Sequence, residues 1–158
     1  MTLALFLMKL YYANIDYARR SIMSGNVDSA TPVAGGRVHE TIYTRTPADS
    51  YLQFDLHQPA LLNFISFHLW DYDDRTYTYS IDLLTNGEWK RVIHNRTGQG
   101  IQYLNFPEVA NVTAIRMQGR NTRNGTFHLL NDHLSFRYDL SYASDFNKDL
   151  QLAMFAEH

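Results

Sequence analysis

The densest chemistry in the chain is the run Trp70-Asp71-Tyr72-Asp73-Asp74-Arg75-Thr76-Tyr77, which sets three carboxylates and a guanidinium among aromatic rings. Carboxylates at alternate positions can ligate calcium, with Asp71, Asp73 and Asp82 as donors. An EF-hand spacing, however, wants a ligand where Arg75 stands and a glycine where Thr76 stands, so that reading is rejected. A glycosidase needs two carboxyls facing each other across a substrate. Three so close in sequence cannot do that, and Glu40 or Asp132 would have to supply the distant partner. Two readings remain: a loop that grips a ligand, or a braced turn in which Asp71 or Asp73 pairs with Arg75 and caps backbone amides.

A second cluster is Gly119-Arg120-Asn121-Thr122-Arg123-Asn124-Gly125-Thr126-Phe127-His128. Its two guanidiniums and two amides could hold carboxylates, sugar hydroxyls or a peptide backbone through forked hydrogen bonds. The alternative is an Asx-rich hairpin loop with Gly125 supplying positive φ and the arginines solvated. His68, His128 and His133 invite a metal reading, but His128 and His133 are five apart, which in a strand points them to opposite faces, and no thiolate is present to join them. No GxSxG elbow, Walker loop, GxGxxG or HExxH spacing occurs. The expectation is therefore no catalytic set, no metal and no cofactor. Trp89 reads as a core anchor opening a buried strand, and Trp70 stands at a loop edge. Asn95, Asn111 and Asn124 open N-glycosylation triplets, which matter only in a secreted protein.

The elements that must position these loops are strands. At 158 residues one domain is expected, and 11 Tyr with 9 Phe favour pleated surfaces. Alternation appears at 51–56, where Pro59 is expected to close the segment, and again at 64–70 and 77–84. Asn86-Gly87 then marks a hairpin into 89–93, because a type I′ turn needs positive φ at both central residues. Further strands are expected at 101–106, 112–118 and 127–137. Residues 24–50 read as long loops with at most one short strand, residues 1–20 as a first packed element or a fragment boundary, and 144–157 as a possible short C-terminal helix capped by Ser144.

Composition narrows the partners. Lys and Arg number 14 against 16 Asp and Glu, a net charge of -2 that gives no footprint for nucleic acid. The apolar start at residues 1–8 is far shorter than the roughly 20 residues a membrane span needs. Neither basic residues before it nor a small-residue cleavage site after it make it a signal peptide. The absence of cysteine points to a reducing compartment, so a cytoplasmic location is expected, with secretion as the alternative.

The run ISFHLWDYDDRTYTYSIDLLTNGEWKRVI, followed by AIRMQGRNTRNGTFHLLNDHLSF, resembles the coagulation factor V/VIII type C (discoidin) domain, in the variety carried by BTB/POZ proteins. The resemblance covers residues 51–138 and rests on the spacing of Trp70-Asp71, Arg75, Tyr77 and Tyr79, Trp89, residues 119–124, and Phe127-His128. It implies an all-β, antiparallel jelly-roll sandwich of the galactose-binding-like type with about eight strands. Residues 51–140 would form its core, 1–50 an N-terminal part of the same domain, and 141–158 a tail. It further implies that loops at one end bind a ligand, which makes Asp71, Tyr72, Asp73, Asp74, Arg75, Arg120, Asn121, Arg123 and Asn124 neighbours, with Tyr43 and Arg45 completing the rim from a preceding loop. A protein or peptide partner is the first expectation, through a BTB/POZ-type ubiquitin-ligase adaptor, and a carbohydrate ligand the second.

Overall fold

The computed structural model describes residues 21–25 and 43–142, together with Leu3. The element expected over residues 1–20 and the helix expected over 144–157 lie outside the described residues. The described residues form seven antiparallel strands, β1 (Ser21–Gly25), β2 (Tyr43–Thr46), β3 (Leu52–Leu69), β4 (Tyr77–Thr85), β5 (Glu88–Gly98), β6 (Ile101–Asn121) and β7 (Phe127–Arg137), followed by a 3₁₀ turn at Leu140–Tyr142.

The hydrogen-bonded order is β2-β7-β3-β6-β4-β5, with β1 on the other side of β3. Register divides this path into two layers. In one, β2 pairs β7, β7 pairs the second half of β3, and residues 64–68 of β3 face 101–105 of β6. In the other, β1 and residues 52–55 of β3 pair up, these face 114–117 of β6, and β6 continues to β4 and β5. The middles of β3 and β6 carry successive register shifts between Asp55 and Phe64, where both strands bend from one layer to the other. Equal lengths of chain are inserted on both, so Leu52 faces Met117 and Phe64 faces Asn105 in the same register at either end of the bend.

This arrangement corrects the expected boundaries. The strands expected at 51–56 and 64–70 are the two halves of β3, and those at 101–106 and 112–118 are the two halves of β6. Pro59 does not end a strand: it falls in the irregular stretch between Asp55 and Ala60, where a missing N–H costs no ladder bond.

The core lies between the layers. Phe54 meets Phe136 edge-on at 5.4 Å, Phe67 meets Tyr79 at 5.3 Å, and Phe127 packs on Tyr77 at 5.9 Å, the last two pairs joining strands that share no hydrogen bonds. The alternation expected in β4 is present, with Tyr77, Tyr79, Ile81 and Leu83 buried. Asn86 (φ 51°) and Gly87 (φ 79°) form the expected hairpin turn. Trp89 departs from expectation. It opens β5, which lies at the sheet edge and is exposed along most of its length, and its ring carries the Arg116 guanidinium at 4.1 Å instead of entering the core. Trp70 is the tryptophan that packs against the core cluster.

Candidate functional site: the loop rim

The connections β2–β3, β3–β4, β5–β6 and β6–β7 each pass between layers, and Thr46, Leu69, Tyr77, Gly98, Ile101, Asn121 and Phe127 mark their strand ends by register at one end of the sandwich. The two polar clusters are thereby brought together. Thr122 donates its backbone N–H to the Thr76 carbonyl at 3.0 Å, and the Thr122 hydroxyl accepts the Thr76 N–H at 3.2 Å. Gln99, from the β5–β6 turn, donates its amide to the Asp73 carbonyl at 3.0 Å.

Within the β3–β4 loop, Arg75 clamps Asp73: Arg75 Nε lies 2.8 Å from Oδ1 and 3.0 Å from Oδ2, and a terminal nitrogen lies 2.6 Å from Oδ2. The Arg75 backbone N–H adds a bond to the same carboxylate at 3.1 Å. This fork holds the Asp73 carboxyl down at about 2 and raises Arg75 above its ordinary value. Asp73 is thus a fixed anion with no proton to give near neutral pH. Asp74 is paired across the rim, accepting from a terminal nitrogen of Arg123 at 3.1 Å. Asp71 is turned the other way, its Oδ2 lying 2.8 Å from Nε2 of His68.

The β6–β7 loop is built round Asn121. Its buried side chain accepts from the Arg123 N–H (2.8 Å) and the Asn124 N–H (2.9 Å), and donates to Asn124 Oδ1 (2.7 Å) and the Thr126 carbonyl (2.7 Å). Asn124 also accepts from the Thr126 hydroxyl at 2.8 Å, and Gly125 sits at φ 76°. Asn121 and Asn124 are therefore structural members of the loop, with the turn chemistry the Asx reading expects. The Thr126 hydroxyl reaches His128 Nδ1 at 3.1 Å, and the buried His128 ring stacks at 6.1 Å from Trp70.

Three sequence-stated positions sit elsewhere than expected. Tyr43 and Arg45 belong to strand β2, where Arg45 pairs with His128 and shares its face, and not to a loop. Arg120 is the last exposed residue of β6 before the loop. It pairs with Thr78 and projects from the sheet face opposite to that of the buried Asn121, away from the clamp. Asp71, Tyr72, Asp73, Asp74, Arg75, Arg123 and Asn124 are together on the rim. Sequence reasoning missed Gln99, Thr76 and Thr122 as bracing residues, because each acts on a partner brought close only by the layering, and it missed His68, whose partner Asp71 is three residues on.

What the rim presents outward is Tyr72, 71% exposed, standing edge-on upon Trp70 at 4.9 Å, with Arg75 over the Trp70 ring at 5.9 Å and the Asp74–Arg123 pair alongside. This is a rigid, charge-neutralised platform with one projecting ring. Among the described residues, no three metal-ligating side chains converge, and no helix is long and apolar enough to cross a membrane.

No family model matches the chain. Solved structures show the same sandwich. Chitosan-binding module 1 of a chitosanase/glucanase from Paenibacillus sp. IK-5 aligns with a TM-score of 0.60 at 13% identity, covering 78% of this chain and 98% of that one. A pectin-binding carbohydrate-binding module gives 0.52 at 15% identity, covering 60% and 70%. The CBM32 of AlyQ in complex with 4,5-unsaturated mannuronic acid gives 0.51 at 19% identity, covering 60% and 75%. At these identities the shared property is the galactose-binding-like jelly-roll fold.

Among curated proteins, this chain is 41% identical over 76 residues to BTB/POZ domain-containing protein 9 of Drosophila melanogaster, covering 46% of this chain and 10% of that protein. It is 36% identical over 97 residues to the Homo sapiens protein of the same name, covering 56% and 16%. The chain thus spans only a small part of the length of the curated relatives it matches.

Proposed function

We propose that this chain is a non-catalytic, discoidin-type binding module whose loop rim docks a protein or peptide partner, and that it is part of, or related to, a BTB/POZ-type ubiquitin-ligase adaptor acting in the cytoplasm. The observation that carries the reading is the mutual neutralisation of the rim charges, Asp73 by Arg75 and Asp74 by Arg123, around the projecting Tyr72. A site built for hydrolysis keeps a carboxyl able to donate a proton, whereas the Asp73 fork locks its carboxyl as an anion. A pre-braced loop with an aromatic anchor is what a docking surface needs, since little order has to be imposed on binding. The similarity to BTB/POZ domain-containing protein 9 and the lack of cysteine both support the intracellular adaptor setting.

The test is affinity capture followed by titration of the purified partner against wild type and a Tyr72→Ala, Arg123→Ala double variant. Binding weakened at least about tenfold, with unchanged melting, supports the rim. Equal affinity in the two proteins removes it.

A carbohydrate ligand at the same rim is the second reading. It is supported by the pectin- and chitosan-binding modules that share the fold, and by the Tyr72–Trp70 ring pair as a stacking surface. Specific signals on a glycan array that vanish in Tyr72→Ala would favour it over the protein partner.

A further inference from the structure

A second concavity lies on a different face. The outer surface of β4, β5 and β6 forms a groove of about 360 Å³, lined among others by Thr78, Ser80, Asn95, Gln118, Arg120 and, from the β2–β3 connection, Asp49. Sheet register explains the lining: Thr78 pairs with Arg120 and Ser80 with Gln118, so these four side chains stand on one face of two adjacent strands. A bulge in β5 adds the fifth. Tyr79 faces Arg96 and Ile81 faces Ile93, so two residues of β5 oppose Ser80, and Asn95, at φ 46°, is turned over the groove with its N–H bonded to Ser80 Oγ at 3.0 Å.

The charges in and beneath the groove are unequal. Asp82 is held between two guanidiniums, Arg91 Nε at 2.8 Å and Arg116 Nε at 3.1 Å. The Arg120 guanidinium makes no hydrogen bond or ion pair with any described residue, and Asp49 is the carboxylate in the lining. Of the two arginines in the lining, Arg91 is engaged by Asp82, and the guanidinium left unengaged by the described residues is that of Arg120.

We propose that this groove is a binding site, distinct from the Tyr72 platform of the rim, for a carboxylate-bearing saccharide. Arg120 takes the carboxylate as a fork, and Thr78, Asn95 and Gln118 take ring hydroxyls as mixed donors and acceptors. The volume is in the range of small-ligand sites, about 300–1,000 Å³. The choice of a sugar acid over an acidic peptide follows from the floor. Both β4 and β6 are interior strands, bonded on either side, and β5 gives its bonded side to β4 and keeps its free edge on the flank away from them, so the floor offers no free ladder to an extended peptide, and recognition falls to short hydroxyl and amide side chains.

The test is an NMR titration of the whole chain with a glucuronate-containing trisaccharide and, separately, its neutral glucose-containing counterpart, at millimolar concentration. The expected result is shift changes centred on Thr78, Asn95, Gln118 and Arg120 with the acid only, weakened about tenfold in Arg120→Gln and unaltered in Tyr72→Ala. No shifts with the acid, equal shifts with both sugars, or shifts confined to the rim would each overturn the proposal. So would tighter binding of an acidic peptide at the groove. Because Tyr72→Ala disables the rim alone, failure of the groove and failure of the rim are read separately.

Discussion

Asp74 and Arg123 stand 49 residues apart in sequence and 3.1 Å apart across the rim, so the acidic loop and the basic loop form a single surface. Beside them the two Thr76–Thr122 hydrogen bonds, one backbone to backbone and one to the Thr122 hydroxyl, fix the spacing of the loops, and Asn121 fixes the shape of the second. The physical consequences can be measured one residue at a time.

Asn121→Ala removes the acceptor for two backbone N–H groups and the donor to Asn124 and Thr126, and leaves those groups to find water in a buried setting. A loss of about 2–4 kcal/mol in unfolding free energy is expected by urea titration, larger than the roughly 1 kcal/mol expected for Asn124→Ala. Equal, small losses would mean that the loop is held by its backbone alone.

Asp73 gives the rim a pH dependence. Its folded pKa of about 2 lies below the ordinary aspartate value of 3.8, so its contribution is present at neutral pH, begins to fall as pH drops below about 4, and is gone once pH passes below about 2. The urea midpoints of wild type and Asp73→Asn should therefore differ at pH 7 and converge over that acid window. Curves that stay parallel from pH 7 to 2 would remove the fork as the source.

Gly119→Ala tests how closely β6 approaches the core. An added Cβ there meets Phe127 Cδ2 at 2.7 Å, the Thr78 carbonyl at 2.9 Å and Tyr79 Cβ at 2.9 Å, and neither backbone nor the buried ring can yield cheaply. A loss of about 1–3 kcal/mol is expected from overpacking. At Gly87 a Cβ meets nothing, but φ is 79°, so Gly87→Ala should cost only about 1 kcal/mol of backbone strain. Melting curves that rank the two the other way would contradict the packing described.

Burial of Asp82 opposes its ionisation, yet the hydrogen bonds from Arg91 and Arg116 overcome this and bring its carboxyl below the ordinary value. Asp82→Ala strands Arg116, which is wedged over Trp89 at 4.1 Å and Tyr51 at 5.4 Å. A loss of about 2–3 kcal/mol is expected, and a second change, Arg116→Met, should recover part of it. Losses that simply add in the double variant would show that the pair is not coupled.

Much of this was legible in the sequence because its signals are local. Alternation at 77–84 specifies a half-buried strand whatever lies beside it, Asn86-Gly87 specifies its turn, and Asp73-x-Arg75 is close enough in chain to form its fork without help. The same locality misled at Pro59 and Trp89. Whether a proline ends a strand depends on the partner's register, and whether a tryptophan is core depends on whether its strand is an edge.

The sequence by itself determined the all-β class, the hairpin and the polar character of two loops, since a period of two and positive φ are properties of neighbouring residues. Only the tertiary structure decided which charges meet. Crossing β3 and β6 between layers brought Arg123 to Asp74 and Gln99 to Asp73, and the pleat of β6 sent Asn121 into the rim while turning its neighbour Arg120 onto the groove. Those assignments depend on strand pairing between residues distant along the chain, and no window of sequence contains both partners.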